Sequence, residues 1–341
     1  MTFFFVAGFF AFLLFSMFDG ISSMKDYGLQ VNYEQAAAVS ESAAISPVEA
    51  PKFREVAQKT GTDKVQGHIR LPPCIEYPET CIHPDYDNQK CRAFGHFYDT
   101  IYDRWLGPYA TGNIPMQFLE IGYFRGAGFE AFTHYLSNNK AAELHSLEIS
   151  CIEKGPQKEG KWPWDNFGEK HPWYQRLRDE NRLHCGDASN YDVLLDTWTN
   201  KMKRPDAPPL KVVIDDAAHI AKHMATSLFF WFPRIEPGGI LIMEDIQPSN
   251  AADDFRLKIL PQVMKDIHWC GGKPSAENTI KSDSVCFPQI QRLLQGVHCE
   301  LHVCVFVRND EPASEPDKEG STTPKDAFND DKIKKCLFGP H

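Results

Sequence analysis

Four carboxylates and one imidazole are concentrated in two short stretches of this sequence. Asp215 and Asp216 end one apolar run, His219 follows them, and Glu244 and Asp245 end the next apolar run. If these runs are adjacent parallel strands, the carboxylates meet at one sheet edge, where they repel one another unless a cation is present. Carboxylate oxygens suit a hard ion such as Mg²⁺. The stretches therefore predict a metal site beside a base that can take a proton from a metal-bound hydroxyl.

His219 is the predicted general base, because it follows one acidic pair and the second pair converges on the same edge. An isolated histidine at the start of a helix would instead be assigned a structural hydrogen bond. His219 and His223 also have the i, i+4 spacing of zinc ligands, but Ile220 stands where the zinc-hydrolase pattern requires Glu. A zinc hydrolase is therefore disfavoured.

A glycine-containing turn follows another apolar run, within Phe118–Gly128. Gly122 and Gly126 would let a ligand approach the backbone at a helix N-terminus, although tight strand–helix packing explains such glycines as well. The G-x-x-x-G-x-G spacing departs from the G-x-G-x-x-G dinucleotide fingerprint, which disfavours an NAD-dependent oxidoreductase. Glu120 would repel a pyrophosphate but suits the sulfonium and ammonium groups of S-adenosylmethionine. Glu120, Gly122 and Gly126 are the predicted cofactor contacts.

Two further acids end the next predicted strands. Glu148 lies at the end of the second strand, where an acid can hold ribose hydroxyls, and Asp187 lies in the turn after the third. Each alone could be a helix cap or a solvated turn residue. Ligands of open α/β sheets bind at this edge, so Glu148 and Asp187, together with Asp215, are also predicted to bind the cofactor.

The elements that must position these groups alternate between apolar runs and helical stretches. The predicted strands are Met116–Ile121, Glu143–Ile149, Arg182–Cys185, Lys211–Ile214 and Gly239–Met243. This alternation predicts an α/β fold with a doubly wound, Rossmann-like, mostly parallel sheet. Val297–Val307 lacks an intervening helix and predicts an antiparallel closing pair. Apolar residues at helical spacing predict an N-terminal amphipathic helix over Phe94–Leu106.

The ends of the chain differ in composition from this domain. Thr2–Phe18 is an uncharged apolar run near the lower length limit of a membrane span, read as an uncleaved signal anchor or a cleaved signal peptide. Either would place the protein at a membrane or in the secretory pathway, of the ER or Golgi type. The predicted organisation is a hydrophobic segment (1–20), a flexible linker (21–60), N-terminal additions (61–112), the catalytic domain (113–308) and a disordered polar tail (309–341).

Charge and cysteine content limit the partners further. The net charge of −10 and the absence of a basic stripe argue against a nucleic-acid partner. Cys74, Cys81 and Cys91, among ten cysteines, do not have zinc-knuckle spacing. Disulfides in a secretory lumen and free thiols in a cytosolic loop both remain open.

The motifs together resemble the metal-dependent macrolide-sugar O-methyltransferases, a family of class I S-adenosylmethionine-dependent methyltransferases. The similar parts are Gly61–Lys64, His96–Tyr98, Leu119–Gly122, Ile214–His219 and Phe232–Asp245, and the similarity extends over about residues 94 to 308. The resemblance implies Asp216, Glu244 and Asp245 as magnesium ligands, His219 as the base, and Glu120 and Glu148 as cofactor contacts. It also hints at a homo-oligomer.

Three features depart from the family. Ala217 and Ala218 replace a usual Gly-Ser, an insertion at about residues 65–93 separates the first two motifs, and the N-terminus is apolar. The aromatic stretch Lys161–Tyr174 could cover the acceptor or form a satellite hydrophobic cluster. We therefore expect an O-methyltransferase using S-adenosylmethionine and Mg²⁺ on a small-molecule hydroxyl acceptor, such as a sugar, glycoside or polyol. A membrane-tethered, methyltransferase-like binding protein without activity is the alternative.

Overall fold

Seven strands form one sheet whose spatial order differs from their order along the chain. They are β1 (Met116–Ile121), β2 (Ala142–Glu148), β3 (Leu183–Cys185), β4 (Leu210–Asp215), β5 (Ile240–Met243), β6 (Leu294–Glu300) and β7 (Val303–Arg308). The spatial order is β3-β2-β1-β4-β5-β7-β6, in which β1 to β5 are parallel and β7 is antiparallel to β5 and β6. This confirms the predicted doubly wound sheet with its antiparallel closing pair, the class I methyltransferase fold.

Helices connect the strands in the computed structural model, which describes residues 51–65, 96–151, 167–246, 251–267, 287–324 and 327–328. The α-helices are α1 (Phe53–Thr60), α2 (Asp99–Trp105), α3 (Gly107–Thr111), α4 (Ala127–Tyr135), α5 (Pro172–Asp179), α6 (Tyr191–Asp196), α7 (Ala221–Trp231), α8 (Leu260–Ile267) and α9 (Pro288–Gln291). The 3-10 segments are Phe167–Lys170 and Phe232–Arg234, and the π-helical ones are Thr197–Met202 and Phe255–Ile259.

The central strand β1 is buried along its whole length because helices cover both faces of the sheet. Successive side chains of a strand point to opposite faces. Leu119 and Ile121 accordingly pack into the hydrophobic layer that contains α7, whereas Met116 and Phe118 pack into the layer that contains α1 and α4. Glu120 is therefore a buried carboxylate on the face of β1 that carries Met116 and Phe118.

The strand register brings the predicted acids to one edge. Ile121 pairs with Leu147 of β2 and Asp215 of β4, and Asp215 pairs with Met243 of β5. The residues that follow these positions leave the sheet together at the carboxyl ends of the strands. This edge is where an open α/β sheet binds its ligands.

The N-terminal additions close over this edge. Helix α1 ends at Gly61, whose φ of 72° is left-handed and whose N–H donates to the Ala57 carbonyl oxygen. The following segment pairs with the chain before α2: Val65 and Phe97 form an antiparallel bridge, and the Tyr98 N–H donates to the Lys64 carbonyl oxygen at 3.1 Å. This pairing brings the two motifs together across the insertion, and α2 begins at Asp99, later than predicted.

The predicted linker and tail both contribute ordered residues to the domain. The linker was predicted to extend to residue 60, but α1 begins at Phe53, whose ring is buried against Tyr102 and Phe132. After β7, the Ser314 N–H donates to the Pro233 carbonyl oxygen, and the buried Ser321 hydroxyl accepts from Arg234. Polar composition predicted disorder here, whereas these hydrogen bonds hold the first part of the tail on the domain.

Some sequence predictions fall outside the described residues. They include the apolar segment 2–18, the cysteines of the insertion and the end of the tail. Within the part of the chain that the structure describes, none of the helices combines the length and apolarity needed to span a bilayer.

Candidate active site

The glycine turn after β1 forms one wall of a cleft at the carboxyl edge of the sheet. Gly122 and Gly126 have φ values of 102° and 81°. A Cβ on Gly122 would collide with the Asp216 carbonyl oxygen, and one on Gly126 would lie 2.7 Å from the His171 ring. Both positions therefore require glycine. The cleft is lined by Gly61, Thr62, Asp63, Lys64, Glu120, Gly122, Tyr123, Phe124, Arg125, Gly126, Ala127, Gly128 and Asp216.

Glu120 presents a buried carboxylate to this cleft. Its residue is 1% exposed, and Oε2 has no hydrogen-bond partner among the described residues. Burial raises the pKa of Glu120 to about 8, and the ammonium group of Lys64, 3.9 Å away, counteracts this only in part. An acceptor atom left without a donor in this way fits a ligand that carries positive charge or N–H groups.

Glu148 adjoins the cleft from β2. Its Oε2 accepts from the Phe124 N–H and its Oε1 from the Ser150 N–H, both at 2.7 Å. The carboxylate thus fixes the glycine turn in place, while its remaining lone pairs can still accept from ribose hydroxyls. Phe124 itself has a φ of 47°, uncommon outside glycine.

Two predicted cofactor residues lie away from the cleft lining. Asp187 accepts from the Ser189 N–H at 2.8 Å, a turn contact before α6, whose N-cap is Asn190. Asp215 is buried on the other face of the strand end, where it accepts from the Ala217 N–H at 3.3 Å and from the Ser227 hydroxyl. Burial raises the pKa of Asp215 to about 6. The cleft therefore gathers Glu120, Gly122 and Gly126, with Glu148 beside it, but not these two aspartates.

Asp216, His219 and Asp245 form the group suited to a metal ion. One ligand atom from each lies within 4.8 Å of the others, and all three are partly exposed. His219 Nε2 lies 3.3 Å from Asp245 Oδ2. Two carboxylates leave most positions of an octahedral Mg²⁺ shell for water or substrate oxygens, so the donor set fits that ion.

The backbone is strained at this group. His219 and Asp245 have φ values of 52° and 56°, and His302, whose carbonyl oxygen accepts from the Ile246 N–H, has a φ of 66°. Left-handed conformations are costly for residues with a Cβ, and they concentrate at functional sites. Two of these strained residues meet beyond the strand ends, where His219 Nε2 lies 3.3 Å from Asp245 Oδ2.

Glu244 adjoins this metal-suited group and is more deeply buried than its members. Its carboxylate is 1% exposed, lies 2.7 and 2.9 Å from Lys64 Nζ, and accepts from the Tyr102 hydroxyl. The structure thus places the predicted ligand Glu244 in a buried ion pair with Lys64, whose ammonium also lies 2.5 Å from Asp216.

Sequence reasoning assigned no role to the residues that hold these acids. Lys64 Nζ contacts Asp216 at 2.5 Å, and the Tyr98 hydroxyl donates to Asp245 Oδ1 at 2.6 Å. His96 Nε2 lies 3.3 Å from the same oxygen. Burial, followed by the Asp245 charge, raises the pKa of Tyr98, so the phenol stays protonated and keeps donating. In the sequence, these residues were marked only by the two short motifs Gly61–Lys64 and His96–Tyr98. Neither motif has the periodicity that would place it beside the strand ends.

Several curated O-methyltransferases match parts of this chain. The 8-demethyl-8-alpha-L-rhamnosyl tetracenomycin-C 2'-O-methyltransferase of Streptomyces olivaceus is 46% identical over 41 residues, 12% of this chain and 11% of that protein. Demethylmacrocin O-methyltransferase of Streptomyces fradiae is 45% identical over 38 residues, 11% and 10% of the two chains. The predicted resemblance is confirmed. These matches span only about a tenth of the length of either relative, and no family model matches the chain.

Solved structures also align with the chain at low identity. MycE, a methyltransferase of the mycinamycin biosynthetic pathway in complex with Mg and SAH, aligns with 79% of this chain at 17% identity and a TM-score of 0.48. The alignment covers 57% of MycE. The O-methyltransferase NovP aligns with 64% of this chain at 10% identity and a TM-score of 0.38. The fold assignment rests on the strand order of this chain.

Proposed function

We propose that this protein transfers a methyl group from S-adenosylmethionine to a hydroxyl of a sugar, glycoside or similar polyol, with the help of Mg²⁺. One observation carries the proposal. The unpartnered oxygen of Glu120 lines the same cleft as Asp216, which belongs to the metal-suited group with His219 and Asp245. The names of the matched relatives, which are O-methyltransferases, support the reaction class.

The cofactor would occupy the cleft beside the glycine turn. Glu120 would accept from the amino-acid end of S-adenosylmethionine or face its sulfonium, and this contact would satisfy the buried Oε2 atom. Glu148 would accept from the ribose hydroxyls. Gly122 and Gly126 would admit the cofactor close to the backbone.

Asp216 and Asp245 would hold Mg²⁺, because a hard ion prefers carboxylate oxygens over imidazole nitrogen. The ion supplies a Lewis acid that lowers the pKa of a bound hydroxyl. Glu244, the third predicted ligand, shares the Lys64 ammonium with Asp216, at 2.7 and 2.5 Å.

His219 would take the proton from the acceptor hydroxyl. Its Nε2 faces Asp245 Oδ2 at 3.3 Å, so the carboxylate can orient the ring and stabilise its protonated form. S-adenosylmethionine would supply the methyl group: its methyl–sulfur bond would break as the acceptor oxygen bonds to the methyl carbon, and S-adenosylhomocysteine would leave. The proton ends on the imidazole and passes to solvent, since the ring is partly exposed.

Isothermal titration of the full chain with S-adenosylmethionine, with and without Mg²⁺, tests the proposal. We expect cofactor binding by the wild type and by Asp216→Ala, with a separate Mg²⁺ signal only in the wild type. A transfer assay with radiolabelled methyl donor and a panel of glycosides then identifies the acceptor. A folded wild type that binds no cofactor would contradict the proposal and favour a binding protein without activity.

A further inference from the structure

A disulfide joins the strand ends beside Glu148, the acid predicted to bind the ribose. It links Cys151, three residues after Glu148, to Cys185, and their Cα atoms lie 5.3 Å apart. Cys185 is the last residue of β3 and pairs with Glu148 in the strand register. Cys151 Sγ lies 3.4 Å from the Glu148 carbonyl oxygen. The disulfide therefore closes the ends of β2 and β3 around this one residue.

Three backbone donors hold Glu148, and two of them are chain neighbours of the cysteines. Oε1 accepts from the Ser150 N–H at 2.7 Å, one residue before the first cysteine. The Glu148 carbonyl oxygen accepts from the Gly186 N–H at 2.9 Å, one residue after the second. Oε2 accepts from the N–H of Phe124, which lines the cofactor cleft, at 2.7 Å. A shift of either cysteine would therefore move a donor to Glu148.

The strand pairing that this disulfide reinforces is short. Strand β3 has three residues and lies at the edge of the sheet, where it pairs with β2. Edge strands and element ends open locally more readily than central strands. The hydrogen bond from Gly186 to Glu148 forms where the chain leaves β3. A covalent link at this point restrains the donors where the backbone hydrogen bonds of the sheet end.

We propose that the Cys151–Cys185 disulfide is a positioning element for the ribose of the cofactor. It fixes the Ser150 and Gly186 donors, so that the Glu148 carboxylate keeps its orientation and presents its remaining lone pairs to the ribose hydroxyls. The inference rests on the proposed function for the identity of the ligand. The two cysteines act through Glu148, and the disulfide contributes to cofactor affinity as well as to stability.

Titration of cysteine variants of the full chain with S-adenosylmethionine tests this role. Cys151→Ala/Cys185→Ala removes the disulfide without a reductant, Glu148→Gln removes the carboxylate, and a triple variant combines these changes. Cys299→Ala/Cys304→Ala is the matched control, because it removes a disulfide from the β6–β7 hairpin at the other edge of the sheet.

Two further measurements separate positioning from general stability. Competition by adenosine and by 2′-deoxyadenosine measures the contact with the ribose hydroxyls. Hydrogen exchange followed by mass spectrometry, in peptides covering residues 146–151 and 183–190, measures opening of the strand ends and needs no ligand.

Cys151→Ala/Cys185→Ala should raise the Kd for S-adenosylmethionine about tenfold, because hydrogen bonds to a charged acceptor are weakened. The control pair should stay within about threefold of wild type. Wild type should prefer adenosine to 2′-deoxyadenosine about tenfold, and this preference should be lost without the disulfide. The triple variant should bind within about twofold of Glu148→Gln, since both changes act on the same contact. Amides of the two strand ends should exchange about tenfold faster.

Two results would overturn the assignment. One is a disulfide-free variant that keeps the wild-type Kd and the preference for adenosine. The other is a triple variant whose loss of affinity is the product of the two separate losses, which places the effect of the disulfide away from Glu148. If the variant does not fold, native wild type reduced with a phosphine gives the same comparison, with alkylation and mass spectrometry showing which cysteines are free. A wild type that binds no cofactor contradicts the proposed function alone, because hydrogen exchange still measures whether the disulfide fixes the strand ends.

Discussion

A buried carboxylate next to a cationic ligand should couple binding to protonation. Glu120 has a pKa raised to about 8 by burial, so below that pH the free protein carries it mostly as the neutral acid. A cationic cofactor favours the carboxylate and lowers this pKa on binding. The affinity for S-adenosylmethionine should therefore depend on pH, because binding requires the ionised form of Glu120.

We predict that affinity for S-adenosylmethionine increases as pH rises from 6 to 8, by up to about tenfold per unit, and that binding at pH 7 releases a proton. Isothermal titration in two buffers of different ionisation enthalpy measures that release. In Glu120→Gln the proton release and this part of the pH dependence should disappear. Equal proton release by wild type and Glu120→Gln would assign the linkage to another group.

The two histidines of the α7 start should differ sharply in their effect on catalysis. His219→Gln should reduce kcat by about 10²- to 10⁴-fold with little change in cofactor Kd, because a general base acts on the acceptor proton. His223→Gln is the control, since His223 lies one turn further along and outside the metal group. Similar losses in both variants would indicate that the helix start, and not the imidazole, is required.

At the scale of elements, β2 and β3 are joined by two stacked histidines. His145 and His184 are both almost fully buried, their ring centroids lie 5.2 Å apart, and His145 Nδ1 lies 3.1 Å from His184 Nε2. Burial, followed by the neighbouring His145, lowers the pKa of His184 to about 3, and burial also lowers the pKa of His145. Burial thus favours the neutral form of both rings, while the Glu143 carboxylate, 2.8 Å from His145 Nε2, opposes it at His145.

Acid should therefore destabilise this strand pair before it affects most carboxylates. Between pH 6.5 and 3, His184 is protonated in the unfolded chain but stays neutral in the folded protein, because folding lowers its pKa from 6.5 to about 3. The free energy of unfolding should fall by about 1.4 kcal/mol per pH unit from this group as pH drops through that window, and be unaffected by it above. Urea unfolding at pH 7, 6 and 5 measures the slope.

His184→Gln should reduce this slope, whatever its effect on stability at pH 7. His134→Gln is the matched control, because its ring lies on the exposed side of α4 and makes only a 3.6 Å contact with Glu130. A slope that is unchanged by His184→Gln would place the acid sensitivity elsewhere.

The same scale shows what the sequence could predict. The strands were recognisable because buried parallel strands are apolar runs, and the acids at their ends followed from the register. The partner of Glu244 was not recognisable, since Lys64 lies 180 residues earlier and no local pattern links them. Asp187 and Asp215 show the same limit. Each lies at the expected edge, but both accept local backbone hydrogen bonds and neither lines the cleft.

For the whole molecule, two disulfides among the described residues bear on the compartment of the protein. Cys151 pairs with Cys185 at the ends of β2 and β3, and Cys299 pairs with Cys304 across the β6–β7 hairpin. Disulfides persist mainly in oxidising compartments. They support the hypothesis that the apolar segment Thr2–Phe18 directs the domain to a secretory lumen, either as an anchor or as a cleaved signal.

An engineered glycosylation site tests that topology. The chain contains no N-x-S/T sequon. The substitution Pro115→Thr creates one at the exposed Asn113. Any N-linked glycan on this variant must therefore be attached at Asn113. In translation with microsomes we expect this variant to gain one glycan, sensitive to endoglycosidase, and removal of residues 2–18 to abolish it. Asn113→Gln on the same background is the control for the site.

Alkaline extraction then separates the two forms, since an anchored chain stays with the membrane and a cleaved one is released. A full-length variant that folds and pairs its cysteines yet gains no glycan would place the domain outside the lumen.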